Sequence, residues 1–391
     1  MWGVEALKRD FRVTIITTNQ FDLNALNRFY GTAVAPAEVA VRVFQMPLGL
    51  RQSRSAGALR GAFFQRAIRF GISEYDILIS AYNLCDFGVP AIHLLDLSWD
   101  EELRRHFVRP PGGLASIFHR VSQLRSLYLF LARTISSPTG RDLFDGDDVL
   151  LAYSAWIASV IEQKHHVKCS VLYPPVSGTI SEIPFSLRND EFVCMGRISE
   201  EKRLERVVEI LTRVRARGYE IRLRLVGGFG ANVYARRIHS LVQELPWVVL
   251  EGSVSEHRKM EILTSARYGI HGAEGEGFGI AVAEMIKTGC ITFAPVEGGP
   301  AEILDSDALL YHNDDDAVEK IIAVLGDESL RAELTHHLRC QAERFSAAHY
   351  MRGLREAVER FAESKGAHKS QTRVDDASPH QHYAETARPR L

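Results

Sequence analysis

Glu276-Gly277-Phe278-Gly279-Ile280-Ala281-Val282-Ala283-Glu284 sets two carboxylates eight positions apart, with a Gly-Phe-Gly turn running into an apolar stretch. Eight residues make about two helical turns, so Glu284 is expected on a helix body and Glu276 on the loop before it. Glycines in that loop let the backbone approach a ligand closely. The helix start offers free N–H groups and the positive end of a dipole. One carboxylate at the mouth and one on the shaft can grip a polyhydroxylated ligand at two places.

Outward from this segment, short β-branched runs alternate with longer amphipathic stretches. The runs are Arg12–Thr18, Asp76–Ser80, Phe192–Met195, Arg222–Val226, Val248–Glu251 and Ile291–Ala294. Strands separated by helices imply parallel sheets built from β-α-β units. A chain of 391 residues exceeds one ordinary core, so an α/β protein of two doubly wound domains is expected. Tyr173-Pro174-Pro175-Val176 interrupts the pattern and reads as the crossover. The expected division is 1–176, then 177–344, then a helix over 345–365. The segment 366–391 is polar with almost no aliphatics and reads as a disordered tail.

Charge narrows the function. With 47 Lys and Arg against 49 Asp and Glu the net charge is −2, which argues against a general nucleic-acid binder. Five cysteines form no Cys-x-x-Cys pair, as expected of buried thiols in a reducing compartment. No apolar run reaches membrane-span length, and charges from Glu5 onward interrupt any signal-peptide pattern. His165-His166 and His336-His337 are adjacent pairs that do not share a helix face, so no metal site is expected. Asp314-Asp315-Asp316 reads as helix capping before Ala317.

The 276–284 segment resembles the Glu-x7-Glu motif of retaining glycosyltransferases of the GT-B fold, family 4 (glycosyltransferase group 1). Met195-Gly196-Arg197-Ile198-Ser199-Glu200-Glu201-Lys202 resembles that family's Gly-Arg-hydrophobic-x-x-Glu-Lys signature. Glu297-Gly298-Gly299-Pro300-Ala301-Glu302 resembles its Gly-Gly-x-x-Glu turn. The three occur in the family's order. His271-Gly272, Asp86-Phe87-Gly88 and the Tyr173–Val176 segment are most similar to a branch containing the cytosolic-face mannosyltransferases of lipid-linked oligosaccharide assembly. The family opens with a strand and a Gly-rich turn before its first helix, whereas Met1–Leu7 already reads as that helix. The expected strand and turn are missing from the chain as written.

The resemblance implies roles. Arg197 and Lys202 would neutralise the leaving diphosphate; read alone they are a solvated pair at a helix start. Glu276 would face the transferred sugar and Glu284 the ribose hydroxyls. The backbone amides of Gly277, Phe278, Gly279 and Ile280 would bind sugar hydroxyls or phosphate oxygens. Gly227 and Gly228, in Val226-Gly227-Gly228-Phe229-Gly230, would let the nucleotide approach a strand end. Family members often carry a His near the sugar at the end of the strand here occupied by Ala91–Asp96, and in that branch it falls where this chain has Asp96. Asp96, or His93 three residues earlier, or neither, fills that place. The expected reaction transfers a hexose, first mannose from GDP-mannose, to a lipid-linked or polysaccharide-precursor hydroxyl. It needs no cofactor beyond the nucleotide diphosphate sugar. A nucleotide-sugar epimerase and a non-catalytic binding partner of another transferase are the alternatives.

Residues 39–73 hold six arginines and no Asp or Glu. A basic amphipathic helix at 51–70 suits a peripheral contact with anionic lipid on the inner face of the membrane, as well as a core-facing helix with a solvated face. The expected location is cytoplasmic. The stretch Ser122–Thr134, with Leu124, Leu127 and Leu131 at helical spacing beside Tyr128 and Phe130, reads as a core helix sooner than a membrane-facing one.

Overall fold

The computed structural model describes residues 1–46, 57–81, 84–97, 122–136, 143–144, 146–176, 178, 181, 183–228 and 233–375. Twelve strands fall among these residues. They are β1 (Val13–Thr17), β2 (Val39–Val43), β3 (Ile79–Ser80), β4 (Ile92–Leu95), β5 (Val149–Ala152) and β6 (Ser170–Val171). The rest are β7 (Asn189–Met195), β8 (Arg222–Val226), β9 (Val248–Gly252), β10 (Ala266–Ile270), β11 (Ile291–Pro295) and β12 (Leu310–Tyr311). The first-half helices are α1 (Trp2–Leu7), α2 (Leu23–Tyr30), α3 (Gly57–Ile68), α4 (Ser122–Ser136) and α5 (Ala155–His165). The second half carries α6 (Leu204–Ala216), α7 (Val233–Gln243), α8 (Glu256–Ser265), α9 (Ile280–Lys287) and α10 (Gly299–Leu304). Helices α11 (Asp314–Gly326), α12 (Glu328–Ala342) and α13 (Ala347–Asp375) follow.

All pairings between these strands are parallel. β7 to β12 form one sheet in the order β12-β11-β10-β7-β8-β9, β3 to β6 form a second in chain order, and β1 pairs with β2. The six-stranded sheet is the apolar centre of the second half. Phe192, Tyr268 and Phe293 on adjacent strands are at most 2 % exposed, and Phe192 stacks on Tyr268 with ring centroids 4.9 Å apart. Each ring so buried contributes about 1.5–3 kcal/mol. Strands covered on both faces read as unbroken apolar runs, as Phe192–Met195 and Ile291–Ala294 do; β10, with Arg267 in it, was not read from sequence.

The order of that sheet positions the site. The chain adds β8 and β9 on one side of β7, then returns to lay β10 on the other. The connections after β7 and β10 therefore leave in opposite directions from the strands' carboxyl ends, and open α/β sheets bind ligands in such a crevice. The loop after β7 carries Arg197 and Lys202; the loop after β10 carries Glu276.

The closing helix packs on the first half: Tyr350, Leu354 and Phe361 of α13 join Ala6 and Leu7 of α1 and Ile92 of β4 in one buried cluster. Three elements differ from the sequence reading. Helix α13 runs to Asp375 rather than 365, because Ala367, Lys369, Gln371 and Arg373 are compatible with helix and no proline intervenes before Pro379. The tail beyond Asp375 lies outside the described residues. Helix α11 starts at Asp314 with Asn313 as its cap, so the three aspartates fill its first turn instead of preceding it. Helix α4 turns its leucines outward: Leu124, Leu127 and Leu131 are exposed, and it is not a core helix.

Candidate active site

Three loops meet at the carboxyl ends of β7 and β10. Gly196 ends β7 with φ +146°, and the Lys202 side chain lies over it, 3.4 Å from where a Cβ would stand. A short 3-10 turn, Glu200–Lys202, then delivers the lysine. After β10 the chain runs from His271 to Glu276, which forms an isolated parallel bridge to Gly298. The Gly299 N–H donates to the Glu276 carbonyl at 2.8 Å. At Gly298, φ is +114° and a Cβ would sit 2.8 Å from the Glu276 carbonyl oxygen. The third motif's glycine is thus required to seat the first motif's glutamate.

Lys202 Nζ pairs directly with Glu276 Oε2. His271 Nε2 lies 3.3 Å from the same oxygen, close enough for an ion pair but off line for a full hydrogen bond. His271 is 2 % exposed, and the Tyr311 hydroxyl donates to its carbonyl. Burial disfavours an ionised Glu276, but His271 and the Lys202 charge outweigh it and hold the carboxyl well below the usual carboxylate range. Glu276 is therefore a fixed anion, suited to accept hydrogen bonds rather than to donate a proton.

Glu284 projects from α9 and pairs with Lys259 of α8 at 2.7 Å. Burial raises its carboxyl above the ordinary value, and Lys259 offsets part of that. Gly279 is the helix cap, with φ +99° and no side-chain cap bond, so the first-turn amides are not capped by a side chain. The Phe278 ring faces inward, against Tyr173 and Phe345, so only its backbone is placed for a ligand. Ile280 is exposed at the helix start.

The first half comes within contact of this loop. Asp96 follows β4 directly, and a Cβ on Gly277 would lie 2.5 Å from its Oδ1. Ser154 Oγ donates to the Gly277 carbonyl at 2.6 Å. Glu302 reaches back, accepting from Ala155 N–H at 2.9 Å, Trp156 N–H at 3.3 Å and the Tyr173 hydroxyl at 2.8 Å. It caps α5 of the first half with a carboxylate from α10 of the second.

Two expectations meet a different arrangement. Arg197 does not join the Lys202–Glu276 group. Its side chain is 80 % exposed and pairs with Glu201 at 2.9 Å, a local i,i+4 contact. His93 is wholly buried, its Nδ1 accepting from the Cys85 N–H and its Nε2 3.3 Å from Asp148, which seals it inside the sheet. Asp96 is the polar group after this strand that borders the cleft.

At Gly227 the demand is packing: a Cβ would stand 1.7 Å from the Gly196 carbonyl oxygen, so two strand ends touch there. Gly228 abuts Ser253. Phe229 and Gly230 lie outside the described residues. Among the described residues no group of three or more His, Cys, Asp or Glu is arranged to hold a metal ion.

Sequence reasoning passed over His271 as a site group, and Lys259 and Glu302 as partners. The signal for His271 was a histidine directly after an apolar strand, five residues before Glu276.

Comparison with known structures places this architecture. Anabaena Alr3699/HepE, solved with UDP and glucose, superposes with a TM-score of 0.62 at 14% identity, covering 91% of this chain and 94% of that one. WaaG, a glycosyltransferase involved in lipopolysaccharide biosynthesis, gives 0.58 at 15% identity over 88% and 90%. Sucrose-phosphate synthase from Thermosynechococcus elongatus gives 0.62 at 15% identity over 96% and 92%. The fold is GT-B. Residues 180–341 match the family model described as glycosyl transferases group 1. The matched segment contains Lys202, His271, Glu276, Glu284 and Glu302. No curated protein matches the chain.

Proposed function

We propose that this protein is a retaining glycosyltransferase that moves a hexose from a nucleotide diphosphate sugar to a hydroxyl acceptor. The observation that carries the reading is the Lys202–Glu276 pair at the carboxyl ends of β7 and β10, with Asp96 across the cleft. A diphosphate is a better partner for Lys202 than one carboxylate, since it offers more charge and more acceptor oxygens. Drawn to the diphosphate, Lys202 frees Glu276 to accept from sugar hydroxyls, with His271 behind it as remaining counter-group. The first-turn amides of α9 face the same anion. Arg197, exposed on the surface side, would leave Glu201 to join it.

In the step itself the acceptor oxygen bonds to the anomeric carbon as the carbon–phosphate oxygen bond breaks. The acceptor's proton passes to the departing phosphate oxygen on the same face, so configuration is retained. Glu276 is no nucleophile in this scheme, because the paired-carboxylate hydrolase geometry is not what the loop builds. Asp96 orients the sugar or acceptor from the first half. GDP-mannose is the first donor to test, with UDP-hexoses next; the acceptor is a lipid-linked or polysaccharide precursor. The protein would then work in the cytoplasm at the inner face of a membrane.

The test is a thermal-shift titration with GDP, UDP and ADP, free and as hexose conjugates, on the wild-type chain and on Lys202→Ala. Ligand at 100 times its dissociation constant stabilises by about 2.7 kcal/mol. One nucleotide raising the midpoint, with the effect lost in the variant, supports a donor site and names the base. No response to any nucleotide overturns the transferase reading in favour of a non-catalytic partner, which the outward-turned Arg197 also fits. Donor conversion without an acceptor would instead identify an isomerase.

A further inference from the structure

Arg203 closes the 3-10 turn that delivers Lys202 and opens α6, with φ +46°, ψ +47° and no side-chain cap. Among the described residues two other non-glycine residues have positive φ, His166 and Asp305, and each closes a helix, α5 or α10. A left-handed residue is ordinary at a helix C-terminus. Where a helix begins, the capping backbone is ordinarily extended. Glycine would make the reversal at 203 without strain, and asparagine or aspartate with little. The presence of an arginine is accounted for by what its side chain reaches.

That side chain reaches Glu274, two residues before Glu276. Arg203 Nη1 lies 2.7 Å from Glu274 Oε2 and Arg206 Nη1 lies 2.6 Å from Oε1, so each carboxylate oxygen is held by a different arginine. Arg206 also pairs with Asp314 at the start of α11 and lies over the Tyr311 ring, 5.2 Å from its centroid. The Tyr311 hydroxyl in turn donates to the His271 carbonyl. At Gly272 a Cβ would stand 2.9 Å from the Lys202 carbonyl oxygen and 3.1 Å from that of Arg203, so the two backbones touch. The segment from His271 to Glu276 is thus fastened at its start and middle before Lys202 meets Glu276 at its end. Arg203 and Glu274 are 25 % and 28 % exposed, and a pair so exposed adds little to stability. A left-handed backbone costs an L-residue at least as much. What the pair secures is the placement of one loop on the other.

We propose that Arg203 is a positioning residue for the diphosphate site: its ion pair with Glu274 holds the Lys202 turn on the Glu276 loop, so that Lys202 can leave Glu276 for a diphosphate without the two loops parting. The strained backbone is what that reach requires. The inference rests on the reading of Lys202 as the cation for a nucleoside diphosphate; Arg203 itself acts through Lys202 and Glu276. Removing the pair while relieving the strain should therefore separate stability from binding.

The experiment is calorimetric titration of the full chain with GDP, UDP and ADP and with GMP, UMP and AMP. The readout is the ratio of monophosphate to diphosphate dissociation constants for the base bound best. The variants are Arg203→Gly, Glu274→Gln, Arg203→Lys, Lys202→Ala and, at the far end of α5, His166→Gly. Wild type should prefer the diphosphate, and Lys202→Ala should lose that preference. Arg203→Gly and Glu274→Gln should each lose about tenfold or more of it. Arg203→Gly should still melt close to wild type, because relief of the backbone offsets the lost pair. Arg203→Lys, which can still reach Glu274, should keep most of the preference. His166→Gly relieves the same kind of backbone away from the site and should keep all of it. A preference kept in both Arg203→Gly and Glu274→Gln overturns the proposal, as does an equal loss in His166→Gly. Equal weakening of mono- and diphosphate with a lowered melting point marks a merely structural role and overturns it too. If Arg203→Gly does not fold, Glu274→Gln carries the test. No diphosphate preference in wild type, or one that survives Lys202→Ala, overturns the donor reading and this proposal with it. A preference lost in Lys202→Ala but kept in the Arg203 and Glu274 variants overturns this proposal alone.

Discussion

Replacing Lys202 with methionine isolates the central ion pair. The lysine's stem is kept and its charge removed, leaving Glu276 ionised beside an uncharged chain. Removing one partner of a buried pair costs about 3–5 kcal/mol. Here the side chains keep 16 % and 26 % exposure and His271 remains 3.3 Å away, so about 2 kcal/mol is expected at neutral pH. The pH dependence fixes the cause. In wild type the Glu276 carboxyl is held below its usual range, so its stabilisation is full above the unfolded carboxylate pKa. It is lost only as pH falls through the lower folded value. In the variant, burial without Lys202 pushes the folded pKa up, so protonation favours the fold. The gap between the two proteins should be widest near pH 7 and close as pH falls. Denaturant unfolding at several pH values between 7 and 4 measures it. Glu276→Gln should cost less than Lys202→Met, since an amide is easier to bury than an unpaired carboxylate, and the double variant should recover part of the loss. A gap that stays constant with pH would refute the electrostatic account.

Other outcomes follow from single contacts. Gly277→Ala places a methyl 2.5 Å from Asp96 Oδ1 and 3.2 Å from Ile157. It should cut glycosyl transfer at least tenfold while Gly61→Ala, with nothing within 4 Å, leaves transfer unchanged. Glu302→Gln weakens the cap on α5 and should cost about 1 kcal/mol, with faster amide exchange at Ala155 and Trp156 as the readout; unchanged exchange there would remove Glu302 as a link between the halves. His271→Gln should lower kcat more than it raises KM for the donor sugar, because it acts on Glu276 rather than on the diphosphate. A pure KM effect would contradict that placement.

How much could be read in advance depended on the kind of contact. β8 was legible to the residue from its alternation of Arg and Leu, and β9 and β11 to within one residue, while the polar start of β7, Asn189–Glu191, was missed. The first half was harder: the run Asp76–Ser80 yields only Ile79–Ser80 as strand. Motif spacing located Lys202, Glu276 and Glu284 but not their pairings. Lys259 meets Glu284 from 25 residues away because α8 and α9 lie near each other, and no local pattern encodes that. Arg197 followed a local rule instead, pairing with Glu201 one turn on. Periodicity in α4 marked which residues share a face, yet the same period serves a face turned inward or outward. Only packing decides between them.

The two ends of the chain share a mechanical fate. Arg355 of α13 donates to the Ala6 carbonyl at 2.7 Å, and the cluster beneath includes Phe11 and Val13 at the start of β1. Among the described residues β1 and β2 pair only with each other, and all of β1 is half-buried. A two-stranded ladder is marginal by itself, so this one borrows its persistence from a helix more than three hundred residues later. Native-state hydrogen exchange should find residues 1–43 and α13 opening as one cooperative unit, while the six-stranded sheet with Lys202 and Glu276 stays protected. The loops that carry Lys202 and Glu276 would thereby be insulated from loosening at either terminus.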